Sequence, residues 1–306
     1  MGYTLEDVRE KGSAVALGYF DGIHKGHRVV LEKALGYAEE NGLVPVVLLF
    51  DIHPRKLVSG IIPPMLMSES KKREKLIEMG FTVVDFDFRE GVNFTPEEFA
   101  SRVLEEKLNV KAVCCGYDYR FGKGGKGNPD TLRGYFEPKG VKVFSMPPVV
   151  FGNEPISSTR IRKLIMAGQI ERANTLLGDF FCYDLIVEKG DGLGHTLGFP
   201  TINQFFPKDF IVPFFGVYAS MVKIDGKRYP AVTNVGIRPT VASYSMRSET
   251  CIMEFSGDLY GKSVEVSLLS YLRSEIKFKN LEGLQKQVEK DKSAAAEIYR
   301  EVISNG

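Results

Sequence analysis

The stretch Gly18 to His27 reads G-Y-F-D-G-I-H-K-G-H and decides the fold of the first half of the chain. Before it, Ala14 to Leu17 is a short apolar run that predicts a buried strand. After it, apolar residues recur at helical spacing from Val30 to Ala38, and Asn41-Gly42 ends the pattern. The stretch is therefore predicted to be a strand-to-helix turn, with free backbone N–H groups and a positive helix end that suit an anion.

Two histidines, His24 and His27, lie three positions apart in this turn and are predicted to face the same way. They can donate hydrogen bonds to phosphate oxygens and spread developing negative charge. Glycines would let the backbone approach a phosphate closely, at Gly18, Gly22 and Gly26.

A single histidine near a helix start is more often a cap or a surface residue than a ligand. This chain has only four histidines, and the other two are His53, just before Pro54, and His195 in a glycine-rich loop. Because two of the four fall in one turn, the pattern favours a functional role.

The composition limits the classes of protein to which the chain can belong. The 306 residues are 43% hydrophobic and 26% charged, which is ordinary for a globular protein with two domains. Lys plus Arg (40) balance Asp plus Glu (39), so no basic field predicts nucleic-acid or membrane binding. No signal peptide is recognised, and no apolar run approaches the roughly 18 residues of a membrane span. We expect a cytoplasmic protein.

The cysteines show no C-x-x-C spacing, and most fall in apolar, strand-like runs. Buried thiols are the favoured interpretation, over a zinc or redox site. The four are Cys114, Cys115, Cys182 and Cys251.

Strand and helix patterns alternate up to about residue 180, which predicts a parallel sheet that binds ligands at the carboxyl ends of its strands. Thr95-Pro96 is a strong helix start, with an N-cap and a proline in the first turn. The other predicted elements are strands 44–50, 81–86 and 112–115 and a helix at 68–79.

From Phe181 the pattern changes to short strands with tight turns, which predicts a small antiparallel barrel. Asp225-Gly226 joins the strands 217–224 and 229–235 in a hairpin. A further strand is predicted from Glu249 to Phe255, and 281–303 is predicted to be a closing amphipathic helix.

Two other stretches of the first half fit a phosphate site. Asp118 and Arg120 follow the strand that ends at Gly116, although an ordinary loop is an equal alternative. The stretch 156–162, I-S-S-T-R-I-R, predicts a capped helix start that could bind outer phosphates, although plain capping also explains it. Its candidate ligands are Ser157, Ser158, Thr159 and Arg162.

A glycine-rich loop precedes a possible metal site in the second half. Thr201 and Asn203 would share one face of an extended segment and offer neutral oxygens to Mg²⁺. Glu249 is a candidate base for a substrate hydroxyl, although spacing alone leaves it one acid among many. The loop residues that could wrap a triphosphate are Gly192, Gly194, His195 and Gly198.

Several motifs then occur in a specific order over essentially the whole chain. They are G-Y-F-D-G-I-H-K-G-H, F-D-I-H-P (50–54), G-Y-D-Y-R-F-G (116–122), I-S-S-T-R-I-R, L-G-F-P-T-I-N (197–203), N-V-G-I-R-P-T (234–240) and D-L-Y-G-K (258–262). In these the chain resembles the bacterial bifunctional riboflavin kinase/FMN adenylyltransferases, also called FAD synthetases. The resemblance implies an α/β Rossmann-like nucleotidyltransferase domain at 1–180, followed at 181–306 by a small antiparallel β-barrel riboflavin kinase domain with a C-terminal helix.

The resemblance also implies the chemistry. The barrel would phosphorylate riboflavin with ATP to give FMN, and the first domain would join FMN to AMP, releasing pyrophosphate. Riboflavin, FMN and ATP would be the substrates and Mg²⁺ the cofactor, with no nucleic-acid or membrane partner and the oligomeric state left open.

Roles are carried over position by position. The implied catalytic residues are His24, His27, Arg162 and Glu249, and the implied metal ligands are Thr201 and Asn203. The implied binding residues are Gly18, Phe20, Asp21, Gly22, Gly26, His53, Asp118, Arg120, Ser157, Ser158, Thr159, Gly192, Gly194, His195, Gly198 and, near the flavin, Arg273.

Three positions depart from the family pattern. His195 stands where an arginine or lysine is usual, and Cys251 stands where a histidine usually follows the base by two residues. Asp51-Ile52 is a shorter acidic-proline pattern before His53 than the family has.

Three other interpretations stay open at this stage. The chain could have one live site, either an FMN adenylyltransferase whose barrel only binds flavin or a flavokinase with a decayed first domain. It could be a flavin-sensing regulator, against which the balanced charge argues. It could also be another H-x-G-H nucleotidyltransferase, but that interpretation assigns no function to the barrel.

Overall fold

The computed structural model describes residues 3–50, 63–87, 91, 93–189, 199–239 and 244–304. The chain divides into two compact units, one formed by Met1–Pro63 and Glu69–Ser157 and the other by Pro64–Ser68 and Ser158–Gly306.

The first unit is built on a parallel sheet, as the alternating pattern predicts. Its strands are β1 (Ser13–Leu17), β2 (Val44–Phe50), β3 (Thr82–Phe86), β4 (Val110–Gly116) and β5 (Lys142–Met146). They lie in the order β3-β2-β1-β4-β5, and the four neighbouring pairs are parallel. The order changes direction between β1 and β4, and a ligand crevice forms beyond the carboxyl ends of the strands at such a point.

Helices cover this sheet and follow the capping signals of the sequence. They are α1 (Leu5–Lys11), α2 (Lys25–Asn41), α3 (Glu69–Glu78), α4 (Pro96–Glu98, continuing as a π-helix at Phe99–Lys107) and α5 (Pro129–Phe136), and a short hairpin is formed by β6 (Val150–Phe151) and β7 (Glu154–Pro155). Thr95 caps α4 through its side chain, and Gly42 ends α2 in the left-handed conformation. The predicted start of α4 and the predicted end of α2 are thus confirmed.

Every residue of β1 and β2 is buried, so both strands read as continuous apolar runs. The edge strand β5 has no fully buried residue, which explains why its sequence carries no such run.

The second unit contains a curled antiparallel sheet. Its strands are β8 (Phe181–Ile186), β9 (Thr201–Phe205), β10 (Gly216–Ile224), β11 (Lys227–Pro239), β12 (Tyr244–Ile252) and β13 (Ser263–Arg273), in the order β8-β13-β10-β11-β12-β9. An antiparallel bridge between Glu188 and Asn203 joins the two ends of this order. The predicted small antiparallel barrel therefore takes the form of a half-barrel curled toward closure.

One of two predicted details of this unit is confirmed and the other is wrong. The hairpin at Asp225-Gly226 is confirmed, and both residues adopt positive φ. The strand predicted to reach Phe255 instead ends at Ile252, because Glu254 takes a left-handed conformation (φ 59°) that breaks the extended chain.

The described residues of the second unit also include the helices α6 (Ser158–Met166), α7 (Ile170–Leu177) and α8 (Leu281–Ser304). Asn174 on α7 donates to the carbonyl of Leu268 (2.9 Å) and accepts from the N–H of Phe181 (2.7 Å), which ties this helix to the barrel strands. Residues 158–180 thus pack with the barrel, although the resemblance implies a functional boundary at 180/181.

The cysteines are all free and buried, as predicted. Among the residues described, no helix combines the length and apolar character that crossing a bilayer requires.

Candidate functional site

The turn between β1 and α2 has a strained backbone. Phe20 (φ 53°) and Ile23 (φ 40°) adopt left-handed conformations, and so does Gly22 (φ 81°). Such a conformation costs a non-glycine residue about 1–3 kcal/mol and persists only where the surroundings enforce it. Both side chains are about 1% exposed, so burial in the core holds the turn in this shape.

The two histidines of the turn form a stacked pair at the start of α2. His24 is the N-cap, and its Nδ1 accepts a hydrogen bond from the backbone N–H of His27 (3.2 Å). Since an acceptor nitrogen carries no proton, the neutral imidazole of His24 carries its proton on Nε2 and can donate there. The two histidine rings stack with their centroids 3.6 Å apart. The Phe20 and His27 rings meet edge to face, with their centroids 5.4 Å apart.

Two glycines are required by close contacts in the turn. A methyl group at Gly18 would lie 2.8 Å from the buried ring of Phe20. One at Gly26 would lie 3.2 Å from the His24 ring and 3.4 Å from the Ile156 carbonyl. These glycines thus allow close packing within the motif and against Ile156, and their predicted approach to a phosphate stays a prediction. Asp21 is also buried here (4% exposed).

The loop after β4 lies at the same edge of the sheet as the histidine turn. Leu17 at the end of β1 pairs with Cys115 near the end of β4. Asp118 and Arg120 follow and are exposed, with the Arg120 Nη1 donating to the Tyr119 carbonyl (3.3 Å). The structure therefore brings these two candidates to the carboxyl edge at which β1 ends. His53 lies outside the described residues.

The S-S-T-R stretch falls at the division between the units. Ser157 ends a segment of the first unit, and Ser158 and Thr159 begin α6 in the second. Arg162 in the first turns of α6 is 9% exposed, and its Nε donates to the Pro64 carbonyl (2.7 Å). The predicted helix start is confirmed, and the phosphate role of these residues stays a prediction.

The candidate kinase residues form a row across three strands of the half-barrel. Asn203 on β9 pairs directly with Glu249 on β12, and Glu249 pairs with Asn234 on β11. Thr201 pairs with Cys251, one step along the same face. Directly opposed residues have Cβ atoms about 4.5–5.5 Å apart, so Glu249 is flanked by two amides.

Unpartnered oxygens in this row fit a divalent cation. Asn203 is 6% exposed, and its Oδ1 has no hydrogen-bond partner among the described residues; the same is true of the Oδ1 of Asn234. A buried amide oxygen without a partner is costly, and neutral oxygens are ligands that Mg²⁺ accepts. The oxygen of Asn203 therefore fits a metal ligand, and the metal role of Thr201 and Asn203 stays a prediction.

Three residues near Glu249 were missed from the sequence. Arg247, two positions earlier on the same face, forms an ion pair with it (Nη2 to Oε1, 2.9 Å). Glu275 accepts from the amide of Asn234 (3.2 Å) and lies over Gly236, where a methyl group would be 2.6 Å from its carboxylate. The alternation of a strand could have identified Arg247 and Asn234, whereas the position of Glu275 depends on a long-range contact.

Arg273 is held by the C-terminal helix. Its guanidinium donates through Nε (3.1 Å) and Nη2 (2.6 Å) to the carboxylate of Asp291, which is 5% exposed. This pair joins β13 to α8, and a flavin contact for Arg273 stays a prediction. Burial raises the pKa of the Cys251 thiol, so this residue does not supply the charge of the histidine that the family usually has there. The predicted loop residues Gly192, Gly194, His195 and Gly198 lie outside the described residues.

A stacked histidine pair at a helix start and an acid between two amides on a half-barrel fit a two-domain transferase of nucleotidyl and phosphoryl groups, and the comparisons with known families support this class. The FAD synthetase family model matches residues 6–160, and the riboflavin kinase family model matches residues 177–299. The chain belongs to the bifunctional riboflavin kinase/FMN adenylyltransferase family.

Curated relatives of that description cover nearly the whole chain. The protein of Listeria monocytogenes is 33% identical over 294 residues, which are 94% of this chain and 93% of the relative. The Bacillus subtilis protein is 33% identical (94% and 92% covered), and that of Escherichia coli K12 is 31% identical (97% and 96% covered). A solved structure described as a macrolide-efflux protein of Streptococcus pneumoniae has a TM-score of 0.83 at 31% identity and covers 94% of this chain and 96% of its own.

Proposed function

We propose that the chain phosphorylates riboflavin with ATP to give FMN and ADP, and then adenylylates FMN with ATP to give FAD and pyrophosphate. The observation that carries this proposal is that each family match falls on a different part of one chain, and each part contains its own candidate site. A monofunctional FMN adenylyltransferase is not favoured, because the riboflavin kinase family model also matches this chain and its curated relatives are described as bifunctional. We assign adenylyl transfer to 1–180 and the kinase to 181–306.

In adenylyl transfer, a phosphate oxygen of FMN attacks the α-phosphorus of ATP as the bond to pyrophosphate breaks. No covalent enzyme intermediate is needed, so catalysis consists of positioning and charge stabilisation. Nε2–H of His24, the His27 imidazole and the α2 N-terminus supply donors to the phosphate oxygens. Ser157, Ser158, Thr159 and Arg162 bind phosphate groups at the start of α6, and Asp118 and Arg120 act at the sheet edge. Gly18, Phe20, Asp21, Gly22, Gly26 and His53 shape or line this site.

In the kinase reaction, Glu249 accepts the proton of the ribityl 5′-hydroxyl as its oxygen attacks the γ-phosphorus and ADP leaves. Arg247 holds the carboxylate of Glu249 in place through the ion pair. Thr201 and Asn203 would hold Mg²⁺, which when bound neutralises phosphate charge. Gly192, Gly194, His195 and Gly198 wrap the triphosphate, and Arg273 lies near the flavin.

We further propose a cytoplasmic enzyme without nucleic-acid or membrane partners. The near-zero net charge (+1) and the four free, buried cysteines support this assignment.

A chromatographic time course with riboflavin, ATP and Mg²⁺, read by flavin fluorescence and repeated from FMN, tests the proposal. We expect FMN to appear first and FAD to follow, and FAD to form directly in the second experiment. FAD formed only from added FMN would remove the kinase assignment, and FMN without FAD would remove the adenylyltransferase assignment.

A further inference from the structure

We infer that Lys72 is a positioning residue for adenylyl transfer, because its ammonium group holds the backbone from which the two histidines of the turn project. The inference rests on the proposed adenylyl-transfer function of that turn. Lys72 lies on α3, far in sequence from the motif, and composition or spacing gives no sign of its role.

The ammonium group of Lys72 is enclosed by two residues. The side chain is 2% exposed, and its Nζ donates to the Tyr19 carbonyl (3.2 Å) and to Glu69 (2.8 Å to Oε2, 2.9 Å to Oε1). The same Nζ lies 4.1 Å from the centroid of the Tyr19 ring, at cation–π distance. The Tyr19 hydroxyl in turn donates to Glu69 (3.0 Å), which closes the cluster.

Tyr19 connects this cluster to the histidines through covalent and packing contacts. It precedes Phe20, whose left-handed backbone (φ 53°) needs support from its surroundings. The ring of Phe20 packs against His27, and His27 stacks on His24. A shift of the Tyr19 carbonyl would therefore move the ring on which the histidine pair rests.

A positive charge suits this position better than an apolar side chain does. Phe20, after Tyr19, and Ile23 are the strained residues of the turn. A charge-assisted hydrogen bond holds the Tyr19 carbonyl before them, and such a bond is about twice as strong as a neutral one. Lys72 itself can be buried because Glu69, whose side chain is 47% exposed, supplies the opposite charge. The facing charged and titratable groups in the described cluster are Glu69 and Tyr19.

The test compares Lys72→Met with Lys71→Met in the full chain. Lys71 lies on the same helix and also makes an i,i+3 ion pair, with Glu74 (2.8 Å). We expect Lys72→Met to lower kcat for FAD formation from FMN about tenfold or more, since small misplacements of catalytic groups have effects of this order. The KM values for FMN and ATP should stay within about threefold, because groups that act on the transition state affect kcat.

The kinase reaction of the same molecules is an internal control for the amount of enzyme and for the second unit, and KM values for FMN and ATP near those of the parent show that the first unit is folded. Its rate should be the same in Lys72→Met, Lys71→Met and the parent chain. An unchanged kcat for FAD formation in Lys72→Met would overturn the inference, and so would an equal loss of both activities. The parent chain's own FAD formation tests the proposed function separately, so a failure of one is distinguishable from a failure of the other.

A second variant, Tyr19→Leu, tests the route through Tyr19 and remains informative if Lys72→Met folds poorly. It removes the ring and hydroxyl contacts and keeps the backbone carbonyl. We expect a smaller loss of kcat for FAD formation, and a combined loss in the double variant that is less than the product of the single losses. Losses that multiply would show that the ring and hydroxyl of Tyr19 do not act together with Lys72, and would overturn the cluster of Lys72, Glu69 and Tyr19 as the unit that positions the histidines.

Discussion

The histidine turn of the first unit and the strand row of the second position their candidate residues by different means. In the turn, ten consecutive residues, 18–27, supply both histidines, and left-handed conformations at Phe20 and Ile23 set their direction. In the row, Asn203, Glu249 and Asn234 come from three strands, and antiparallel register alone sets them side by side. The turn is local and strained, whereas the row is long-range and extended.

This difference predicts two kinds of sensitivity. A strained turn fails when its supports are removed, even where those supports touch no substrate. A strand row tolerates changes in its surroundings as long as register is kept, but it depends on each side chain that projects from it. Because both sites belong to one chain with two measurable activities, each can serve as the control for the other.

The largest effect is expected from Glu249→Gln, which keeps the shape of the side chain and removes the base. General bases contribute about 10²–10⁴-fold, so we expect FMN formation to fall about a thousandfold. FAD formation from supplied FMN should stay within about twofold, as measured by chromatography.

The matched control for this change is Glu282→Gln, which neutralises an exposed acid on α8 that pairs with Lys286. Both activities should be unaffected by it. If Glu249→Gln reduced both activities equally, the two sites would not be independent.

The next effect is expected from His24→Asn, which separates capping from phosphate binding. Asparagine is a good N-cap, so α2 should keep its start, but the Nε2–H donor is lost. Removing one donor to a developing anion costs about a hundredfold or more in kcat, and we expect FAD formation to fall by about that factor with FMN formation unchanged.

The cap-only interpretation makes the opposite prediction for this variant. If His24→Asn forms FAD at the parent rate, His24 is a helix cap and the turn is not a phosphate site. His27→Ala should then also leave FAD formation intact.

The turn could be predicted from sequence because its signals are local. Apolar runs predicted β1 and β2, and Asn41-Gly42 predicted the end of α2. The strain at Phe20 and Ile23 could not be predicted, since neither is a residue type that favours left-handed backbone.

The row around Glu249 was harder to predict because it depends on register between distant strands. The motifs suggested Thr201, Asn203 and Glu249, but their pairing needed β9 and β12 to be aligned. Arg247 was missed although strand alternation places it on the face of Glu249, and Glu275 was missed because its position depends on a long-range contact with Asn234. Lys72 was missed because its partner, Tyr19, is 53 residues away in sequence.

A smaller effect is expected from Gly18→Ala, which tests the turn without touching a histidine. Its methyl group would lie 2.8 Å from the Phe20 ring, which must move and disturb its contact with His27. We expect kcat for FAD formation to fall about tenfold, since small misplacements matter at this level. FMN formation should not change.

Gly36→Ala is the matched control, because nothing lies within 4 Å of a methyl group at this position on α2. It should stabilise the protein by about 0.5–1 kcal/mol through helix propensity and leave both activities intact. A Gly18→Ala variant that forms FAD at the parent rate would show that the turn tolerates a displaced Phe20 ring. The turn would then be no more sensitive to its surroundings than the strand row.

The smallest expected effect concerns the strand beside the turn and its response to alkaline pH. Burial raises the pKa of Cys114 to about 12 and that of Cys115 to about 11, from an ordinary value of 9.0. Above pH 9 the unfolded chain releases these protons while the folded chain keeps them, so the free energy of unfolding falls as the pH rises from about 9 toward 11–12. Each thiol contributes a slope of at most about 1.4 kcal/mol per pH unit.

In Cys114→Ala/Cys115→Ala the decline of the free energy of unfolding between pH 8 and pH 10.5, measured by denaturant unfolding with circular dichroism, should therefore be shallower than in the parent. Parallel declines would mean that these thiols are ionisable in the folded strand, and that the sheet edge carrying the turn is less firmly closed than the buried β1 and β4 indicate.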